Sequence, residues 1–414
     1  FNIIIYNLLI NYIYTLFKLG ETIESMSREI ILLYIEHNSG VNGLVKVLTN
    51  MANEFCNRNY KVTIVTSGSE KTLPFFLDTR VQWIKLGLSD IKYNMWDKIK
   101  REINRYFIFC DHPYRIKKAE LAAAKLNILL KDRKVTSIIC YDHEAILVAN
   151  RLSVSKQVPI IAMMHNSPDV ILGNLNKAGI KEENEVAVHQ VLMPSYVTPV
   201  KKLGIHHVVY IPNIVPQIAK ENTTNLETCH HTIINVGRVE EVQKRQHLLI
   251  KAFAKIAGKY PDWKVKIYGQ IDNNGYTKAL RKLISSYHLE DRIIFCGTTK
   301  KIQECLAQAD IFAFPSAYEG FGLALTEAMA MGIPAIGYRS CSAVNELIQH
   351  GENGLLCEDG IDDFATKLEL LITNQELRIQ MGAKAHEDMK EYAPNRIWDM
   401  WEKLICSYAN IESK

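Results

Sequence analysis

Residues 314–334 read FPSAYEGFGLALTEAMAMGIP and form the most informative stretch of this 414-residue chain. The stretch leaves an apolar run, passes through a glycine-containing turn, enters a short helical segment and reaches Gly332. Because Gly320 and Gly322 lack side chains, backbone N–H groups at the helix start can approach an anion closely. The pattern is typical of a phosphate-binding turn.

Two carboxylates flank this turn, eight residues apart in the sequence. Glu319 precedes the helical segment and Glu327 lies on it. If both residues were helical, the helix rise would separate them by about 12 Å. Carboxylates at this separation can hold the two ends of a nucleotide sugar, with its diphosphate between them.

Short β-branched runs alternate with longer segments of helical period on both sides of this stretch. Such alternation predicts βαβ units and mainly parallel sheets, in which ligands bind beyond the carboxyl ends of the strands. The predicted strands are 29–35, 61–66, 81–86, 135–140, 158–164, 190–193, 208–211, 232–236, 264–268, 292–296, 310–314 and 334–337. The clearest predicted helices are 41–57, 245–258, 277–287, 300–308 and 323–331.

The predicted fold class is α/β, with two Rossmann-like, doubly wound domains that face a cleft. A chain of 414 residues, 48% of them apolar, can bury two sizeable cores. A last helix begins at Pro394, and we expect it to cross back to the first domain. The predicted divisions are an extension outside the fold (1–25), a first domain (26–215), a linker (216–230), a second domain (231–392) and the C-terminal helix (393–414).

Residues 1–17 form an apolar run that is interrupted by three Asn and one Thr. The run is slightly short for a membrane span of about 20 residues, and no basic residue precedes it. We therefore predict that residues 1–25 lie outside the fold. A membrane-anchoring helix is the alternative.

Charge and cysteine content exclude several classes of protein. The 49 Lys and Arg residues nearly balance the 45 Asp and Glu residues, so the net charge of +4 does not indicate a nucleic-acid partner. Nine cysteines occur without a Cys-x-x-Cys pair, which argues against a zinc ribbon and against a disulfide framework. We expect a cytoplasmic protein.

The carboxylate pair and its surroundings resemble the E-x7-E signature of the retaining glycosyltransferases of family four, which have the GT-B fold. The resemblance extends, in order and spacing, over nearly all of residues 231–360. The corresponding stretches are Ile234–Arg238, Gln243–Phe253, Val265–Gly269, Ile293–Gly297, Asn345–Ile348 and Gly351–Leu356.

The resemblance implies that the second domain binds the nucleotide sugar and that the first domain is on the acceptor side. It also implies roles for four charged residues. Arg238 and Lys244 would neutralise the diphosphate of the donor and the charge that develops on the leaving nucleoside diphosphate, without a metal. Glu327 would accept the ribose hydroxyls, and Glu319 would face the transferred sugar. The alternatives are that the two basic residues are solvated surface cations, and that the two acids are a helix cap and a surface carboxylate.

Other residues complete the predicted site. Backbone groups of the turn before the helix would contact the sugar and the phosphates, and a glycine-containing loop after the first strand would close over the diphosphate; that loop can also be an ordinary tight turn. A histidine after strand 158–164 would lie near the reacting sugar, although a structural histidine is the alternative. The turn residues are Gly320, Phe321 and Gly322, the loop glycines are Gly40 and Gly43, and the histidine is His165.

Two features of the N-terminal half suggest acceptor contacts. Residues 142–144, Asp-His-Glu, follow strand 135–140 and can either touch the acceptor or cap a helix. Residues 92–118 carry eight basic residues against three acids, interleaved with aromatic residues. This composition suits an anionic membrane surface that holds a lipid-linked acceptor, and equally an ordinary solvated helix face.

The resemblance thus implies a retaining glycosyltransferase that uses no metal and no cofactor. It would move a hexose or N-acetylhexosamine from a nucleotide sugar, expected to be a UDP-sugar, to a saccharide or lipid-linked saccharide hydroxyl in cell-surface polysaccharide or glycolipid synthesis. We expect it in the cytoplasm, with a peripheral position at the inner face of the cell membrane. The alternatives are a nucleotide-sugar epimerase and a non-catalytic protein that binds sugar nucleotides.

Overall fold

The computed structural model of the chain describes residues 28–35, 43–68, 72–88, 91–108, 110–173 and 175–409. The extension predicted over residues 1–25 lies outside the described residues, and so does Gly40.

The first sheet contains seven parallel strands in the order β3-β2-β1-β4-β5-β6-β7. Side chains of the central strand β1 alternate between two hydrophobic clusters, because successive residues of a strand point to opposite faces. Both faces are therefore covered, as in a doubly wound sheet. The strands are β1 (Glu29–Tyr34), β2 (Lys61–Thr66), β3 (Gln82–Lys85), β4 (Val135–Cys140), β5 (Ile160–Met163), β6 (Val188–Val191) and β7 (Val208–Tyr210).

The second sheet contains six parallel strands in the order β10-β9-β8-β11-β12-β13. Strand β11 is buried along its whole length, as expected for a strand near the centre of a covered sheet. The strands are β8 (Thr232–Val236), β9 (Lys264–Tyr268), β10 (Ile293–Gly297), β11 (Ile311–Phe314), β12 (Ala335–Tyr338) and β13 (Gly354–Cys357).

Helices connect the strands of both sheets. Among the described residues, no helix combines the length and the apolar composition that a membrane crossing needs. The helices are α1 (Gly43–Asn57), α2 (Met95–Tyr106), α3 (Pro113–Leu129), α4 (His143–Ala149), α5 (Pro168–Leu172), α6 (Lys177–Asn184), α7 (Val197–Lys202), α8 (Gln246–Ile256), α9 (Gly275–Ser286), α10 (Ile302–Leu306), α11 (Leu323–Ala330), α12 (Val344–Leu347), α13 (Asp362–Thr373), α14 (Gln375–Asp388) and α15 (Pro394–Ala409).

The strand order of each sheet reverses at one point, between β1 and β4 in the first sheet and between β8 and β11 in the second. Loops that leave neighbouring strands in opposite directions open a crevice at such a point, and ligands of doubly wound sheets bind there. The topology therefore confirms the predicted fold class, and it places the crevice of the second domain beside the loops after β8 and β11.

The predicted linker 216–230 contains no strand and packs against the second domain. The backbone N–H of Thr224 donates to the carbonyl of Met331 at 2.8 Å. The side-chain amide of Gln375 donates to the carbonyl of Leu226 at 3.0 Å. The segment is thus attached to the domain that follows it.

The C-terminal helix α15 packs against the first domain. Its apolar stripe joins the hydrophobic cluster of β1, β2 and α1. The Trp398 and Phe55 rings meet edge to face at a centroid distance of 6.2 Å. The guanidinium of Arg58 pairs with Asp399 and Glu402, both at 2.8 Å. The last helix of the chain therefore completes the core of the first domain.

Replacement of Trp401 by Ala should strongly destabilise the first domain. Trp401 is 2% exposed in the cluster with α1, and truncation of a buried tryptophan costs about 3 to 5 kcal/mol. Urea unfolding followed by far-UV circular dichroism measures the loss. Lys403→Ala, at an exposed position of the same helix, should change the free energy of unfolding by less than about 0.5 kcal/mol. Equal stability of the two variants would contradict the packing of α15.

Candidate active site

The loops after β8 and β11 bring the predicted donor-site residues together. Ile311 of β11 pairs with Ile233 of β8, so the two strands are neighbours and end at the same edge of the sheet. Arg238 follows β8 directly, and Glu319 follows β11. The topology therefore explains how two residues that are far apart in the sequence come to share one crevice.

Lys244 and Glu319 form an ion pair in this crevice. The ammonium Nζ lies 2.5 Å from Oε1 of Glu319, and the two side chains are 17% and 8% exposed. The Lys244 stem lies over Gly237, where an added Cβ would be 3.4 Å from Cδ of the lysine. The ammonium also lies 5.2 Å from the Phe314 ring centroid. The predicted phosphate-binding cation is thus held beside the carboxylate that is predicted to face the sugar.

Arg245 holds the loop that carries Lys244. Its backbone is left-handed, with a φ of 49°. The guanidinium donates to the carbonyls of Pro315 at 2.9 Å and Ser316 at 2.8 Å. The loop after β8 is therefore tied to the segment that leaves β11. This role of Arg245 was not predicted from the sequence, although Arg245 follows Lys244 directly.

Arg238 presents its side chain at the exposed edge of the crevice. Its backbone carbonyl accepts a hydrogen bond from the side-chain amide of Gln246 at 3.0 Å. Its guanidinium has no hydrogen bond or ion pair with any described residue. The planar cation is therefore free to meet an anion, as the sequence analysis predicts.

The turn between Glu319 and α11 lies against the first domain. A Cβ on Gly320 would be 2.2 Å from the backbone oxygen of His165. Gly322 precedes α11 with a φ of 77°, a conformation that favours glycine. The Phe321 side chain is buried, with its ring 5.3 Å from that of Tyr392. Only the backbone of this turn can therefore offer contacts to a ligand.

Two further side chains of the first domain reach the second. The Tyr196 hydroxyl donates to the backbone carbonyl of Glu319 at 2.5 Å. Lys46 of α1 places its ammonium 2.6 Å from Oε1 of Glu327. A cavity of about 40 Å³ beside this ion pair is lined by residues of both domains, Leu323 among them. The role of Lys46 was not predicted from the sequence, because no local pattern links this lysine to the Glu327 carboxylate, 281 positions away.

The glycine-containing loop that was predicted to cover the diphosphate is described only at its end. Gly43 is the first residue of α1. A Cβ at Gly43 would lie 3.0 Å from Cδ1 of Leu323, the first residue of α11. The start of α1 therefore lies against the start of α11.

His165 lies after β5, with its ring stacked on that of Tyr141 at a centroid distance of 5.1 Å. Its Nε2 is buried and has no hydrogen-bond partner in the described part of the chain. Burial lowers the pKa of His165 to about 4, because the charged imidazolium would lose its hydration. At neutral pH the ring is therefore uncharged.

Residues 142–144 serve internal contacts. The Asp142 carboxylate accepts the N–H of Ala145 at 2.6 Å and so caps α4. Glu144 pairs with Lys118 at 2.6 Å. These contacts fit the capping alternative of the sequence analysis.

His143 lies between the carboxylates of Asp111 and Glu183. Burial alone would lower its pKa, but the hydrogen bonds to both carboxylates outweigh burial and raise the pKa to about 9. His143 is therefore a charged partner inside the first domain. Across the described residues, no group of three or more His, Cys, Asp or Glu side chains is arranged to hold a metal ion, and all nine cysteines are unpaired thiols.

Residues 218–388 match the model of a family described as glycosyl transferases group 1. This region of the chain is therefore similar to the glycosyl transferases of that family. The match includes every charged residue predicted to bind the donor, so it confirms the predicted glycosyltransferase activity. The role of each residue stays a prediction.

Similar proteins match far more than this region. An uncharacterized glycosyltransferase of Haemophilus influenzae is 26% identical over 377 residues, which cover 90% of this chain and 98% of the relative. The N-acetyl-alpha-D-glucosaminyl L-malate synthase of Bacillus anthracis is 27% identical over 392 residues, 90% of this chain and 93% of the relative. The whole two-domain arrangement therefore has relatives among glycosyltransferases.

Solved structures share the fold. Staphylococcus aureus TarM, solved with UDP and alpha-GlcNAc-glycerol, superposes with a TM-score of 0.73 at 17% identity, covering 91% of this chain and 99% of TarM. HepE of Anabaena, solved with UDP and glucose, gives 0.70 at 18% identity, covering 92% of this chain and 100% of HepE. These similarities confirm the GT-B architecture that the sequence predicts.

A methyl group at Gly320 should separate the two domains. Gly320→Ala forces a Cβ within 2.2 Å of a backbone oxygen, and overpacking of this kind costs about 1 to 3 kcal/mol. We expect a lower midpoint of thermal unfolding and weaker binding of a nucleoside diphosphate. Gly275→Ala is the control, because a Cβ there has no neighbour within 4 Å. Unchanged melting and binding in Gly320→Ala would show that the turn does not touch the first domain.

His165 should make folding stability depend on pH. Its folded pKa of about 4 lies below the ordinary value of 6.5, so the unfolded chain binds the proton more readily. The stabilisation is complete above pH 6.5 and is lost as the pH falls towards 4, by about 1 to 3 kcal/mol.

The His165→Phe variant keeps an aromatic ring on Tyr141 and removes the titration. Urea unfolding of both proteins between pH 7 and 4 gives the difference in their free energies of unfolding. We expect the wild-type protein to lose more stability than the variant, whereas His206→Gln, at an exposed position, should follow the wild type. Parallel curves for wild type and His165→Phe would contradict burial of a neutral ring.

Proposed function

We propose that this glycosyltransferase transfers a hexose or N-acetylhexosamine from a UDP-sugar, with retention of anomeric configuration, to a saccharide or lipid-linked saccharide hydroxyl. The proposal includes no metal and no cofactor, and it places the reaction in cell-surface polysaccharide or glycolipid synthesis, at the cytoplasmic side of the membrane. The observation that carries it is the pair of lysine–carboxylate contacts, Lys244–Glu319 and Lys46–Glu327, on either side of the Gly320 turn.

Similar proteins support the substrate class. The Bacillus anthracis relative is named for an N-acetylglucosaminyl group, and HepE was solved with UDP and glucose. A Staphylococcus aureus poly(ribitol-phosphate) alpha-N-acetylglucosaminyltransferase is 31% identical over 176 residues, 42% of this chain. A cell-surface polymer is therefore a reasonable acceptor class for this chain.

In the proposed mechanism, electrostatic stabilisation supplies most of the catalysis. Arg238 and Lys244 would contact the diphosphate, whose negative charge grows as the bond to the sugar breaks. The backbone of the turn before α11 adds the partial positive charge of a helix N-terminus. The Glu319 carboxylate, held by Lys244, would face the sugar as it becomes positive.

The acceptor must lose a proton when it attacks the sugar. No protein nucleophile is predicted from the sequence, so the proposal includes no covalent intermediate. The departing phosphate would instead help to deprotonate the acceptor hydroxyl. The His165 ring is uncharged at neutral pH and would contribute a neutral surface beside the reacting sugar. Retention then follows from attack on the face that the phosphate leaves.

Glu327 would share or exchange its lysine partner when the donor binds. Its carboxylate contacts Lys46 at 2.6 Å, in an ion pair whose side chains are 14% and 32% exposed. Ribose hydroxyls would share or replace this contact. The ammonium of Lys46 would then lie beside the nucleotide, where it adds a third cation to Arg238 and Lys244.

The alternatives predict different products. A nucleotide-sugar epimerase would convert the donor without an acceptor, and a non-catalytic protein would bind the donor without release of nucleoside diphosphate. Incubation with a panel of nucleotide sugars, with released nucleoside diphosphate as the readout, tests all three functions. We expect release from a UDP-sugar by the wild type and a loss of about 100-fold to 1000-fold in Lys244→Ala.

The two carboxylates should respond differently to neutralisation. A contact of Glu327 with ribose is made about equally in the ground and transition states, so Glu327→Gln should mainly weaken binding of UDP. Glu319 would face the charge that develops on the sugar, so Glu319→Gln should keep UDP affinity and lower single-turnover transfer. Calorimetric titration with UDP and rapid-quench kinetics measure the two effects.

Glu241→Gln is the matched control, because Glu241 is an exposed carboxylate of the same crevice loop. It should leave both quantities unchanged. If Glu319→Gln lost UDP affinity while Glu327→Gln kept it, the donor would lie in the opposite orientation, and the proposed roles would be wrong.

A further inference from the structure

Helix α2 exposes an apolar surface that the rest of the described chain does not cover. Its buried residue is polar, Asn104, whereas its large apolar side chains face solvent. The exposed fractions are 70% for Met95, 67% for Trp96, 38% for Ile99, 47% for Ile103, 77% for Tyr106 and 77% for Phe107. We call these six residues the α2 surface.

Helical geometry places the α2 surface on one face. At 100° per residue, the five of these positions that lie within α2 fall within an arc of about 100°, and Phe107 follows the helix directly. A helix of a globular protein normally turns such a face towards the core. Here the face points away from the core, so it needs another partner.

Polar contacts hold α2 in this orientation. The Asn104 amide donates to the carbonyls of Cys110 at 3.1 Å and Asp111 at 3.2 Å. Asp97 pairs with Lys117 of α3, and Asn94 and Asp97 form a capping box at the start of α2. The polar side is thus attached to the protein, and the outward position of the apolar side is built into the fold.

Exposed cations border the α2 surface. Lys92, Lys98, Lys100 and Arg105 are exposed, while Glu102 is paired with Arg101 and Arg105. Other basic residues of the segment 92–118 point elsewhere: Lys117 and Lys118 form ion pairs inside the first domain. Within residues 92–118, the exposed cations and the exposed apolar side chains that could meet a membrane therefore lie on and beside one face of α2.

We propose that the α2 surface binds an anionic lipid membrane, with α2 parallel to the plane of the bilayer. Amphipathic helices with cations beside Trp and aliphatic residues bind in this way, with the apolar face about 5 to 10 Å deep in the headgroup region. Negative headgroups complement the cations at its edge. A second copy of this chain complements them less well, because two α2 surfaces would bring cations against cations.

The position of α2 relates this surface to the cleft. The backbone carbonyl of Asp111 accepts a hydrogen bond from Asn104 of α2. The carboxylate of Asp111 contacts His143, which begins α4 after the carboxyl end of β4. That edge of the first sheet contains its topological switch point. Membrane binding through α2 would therefore keep the acceptor side of the first domain close to the lipid surface.

Sedimentation with vesicles tests the proposal. Wild-type protein should bind vesicles of phosphatidylcholine with 30% phosphatidylglycerol about 10-fold or more tightly than phosphatidylcholine alone, and added salt should weaken binding. Lys98→Gln/Lys100→Gln should lose about 25-fold in affinity, at about fivefold per cation. Lys201→Gln/Lys202→Gln removes two exposed lysines of α7 and should bind like the wild type.

The apolar part of the surface is tested separately. Trp96→Ala/Phe107→Ala should lose at least about 10-fold in vesicle binding, because it removes two of the side chains that enter the lipid. Ile128→Ala/Leu370→Ala, which removes exposed apolar residues outside α2, should bind like the wild type. Thermal unfolding of all variants should match the wild type, since every substituted residue is exposed.

Fluorescence locates the contact. Of five tryptophans, Trp96 is the one that is exposed in the described chain. Brominated phosphatidylcholine in the anionic vesicles should quench its emission, and Trp96→Phe should abolish the quenching while vesicle binding persists. Quenching that survives in Trp96→Phe would overturn the placement of α2 in the membrane.

Other outcomes would also overturn the proposal. Wild-type protein that ignores anionic vesicles but forms a dimer that Trp96→Ala/Phe107→Ala disrupts would assign the surface to a second copy. Equal binding to neutral and anionic vesicles would remove the role of the cations. Because vesicle binding needs no donor, failure here is distinguishable from failure of the proposed transfer reaction.

Discussion

The close approach of Gly320 to the backbone of His165 is the constraint on which the site depends. With no side chain at this position, the turn after β11 can lie directly against the first domain. The Tyr196 hydroxyl then reaches the carbonyl of Glu319, and Lys46 reaches Glu327. A cleft built by contact of two backbones positions its side chains more precisely than one bridged by long, flexible side chains, because little rotamer entropy opposes it.

Both predicted donor carboxylates already have a lysine partner. Glu319 is almost fully buried, and a buried carboxylate without a partner is costly. Lys244 removes this cost while remaining next to the crevice that would take the diphosphate. Glu327 has its partner in the other domain, so exchange of that partner for a ribose would couple donor binding to the contact between domains. Arg238 differs from both lysines, because its guanidinium is uncommitted and exposed.

The two domains contribute unequally to the candidate donor site. The second domain contains the residues that match the family, and its crevice loops are tied together by Arg245. The first domain contributes backbone, Lys46 and Tyr196 to the same cleft, and its core is completed by α15 from the end of the chain. Its α2 surface faces solvent and includes none of the residues that would bind the donor. Donor chemistry and the proposed membrane contact therefore involve different residues.

Local periodicity was enough to predict β2, β4, β8 and β9 with the bounds that the structure shows, because each is a short run rich in β-branched residues between segments of helical period. The Gly320 turn and the succession of two α/β domains were also predicted from local sequence patterns. The short strand β13, the Lys46–Glu327 contact and the brace by Arg245 were not predicted. Each depends on contacts between residues that are distant in the chain. A local sequence pattern does not indicate which strand a new strand will pair with, or which carboxylate or carbonyl a side chain will contact. Likewise, the composition of residues 92–118 suited either an anionic membrane surface or an ordinary solvated helix face. The contacts of Asn104 and Asp97, which turn the apolar face of α2 towards solvent, could not be read from that composition.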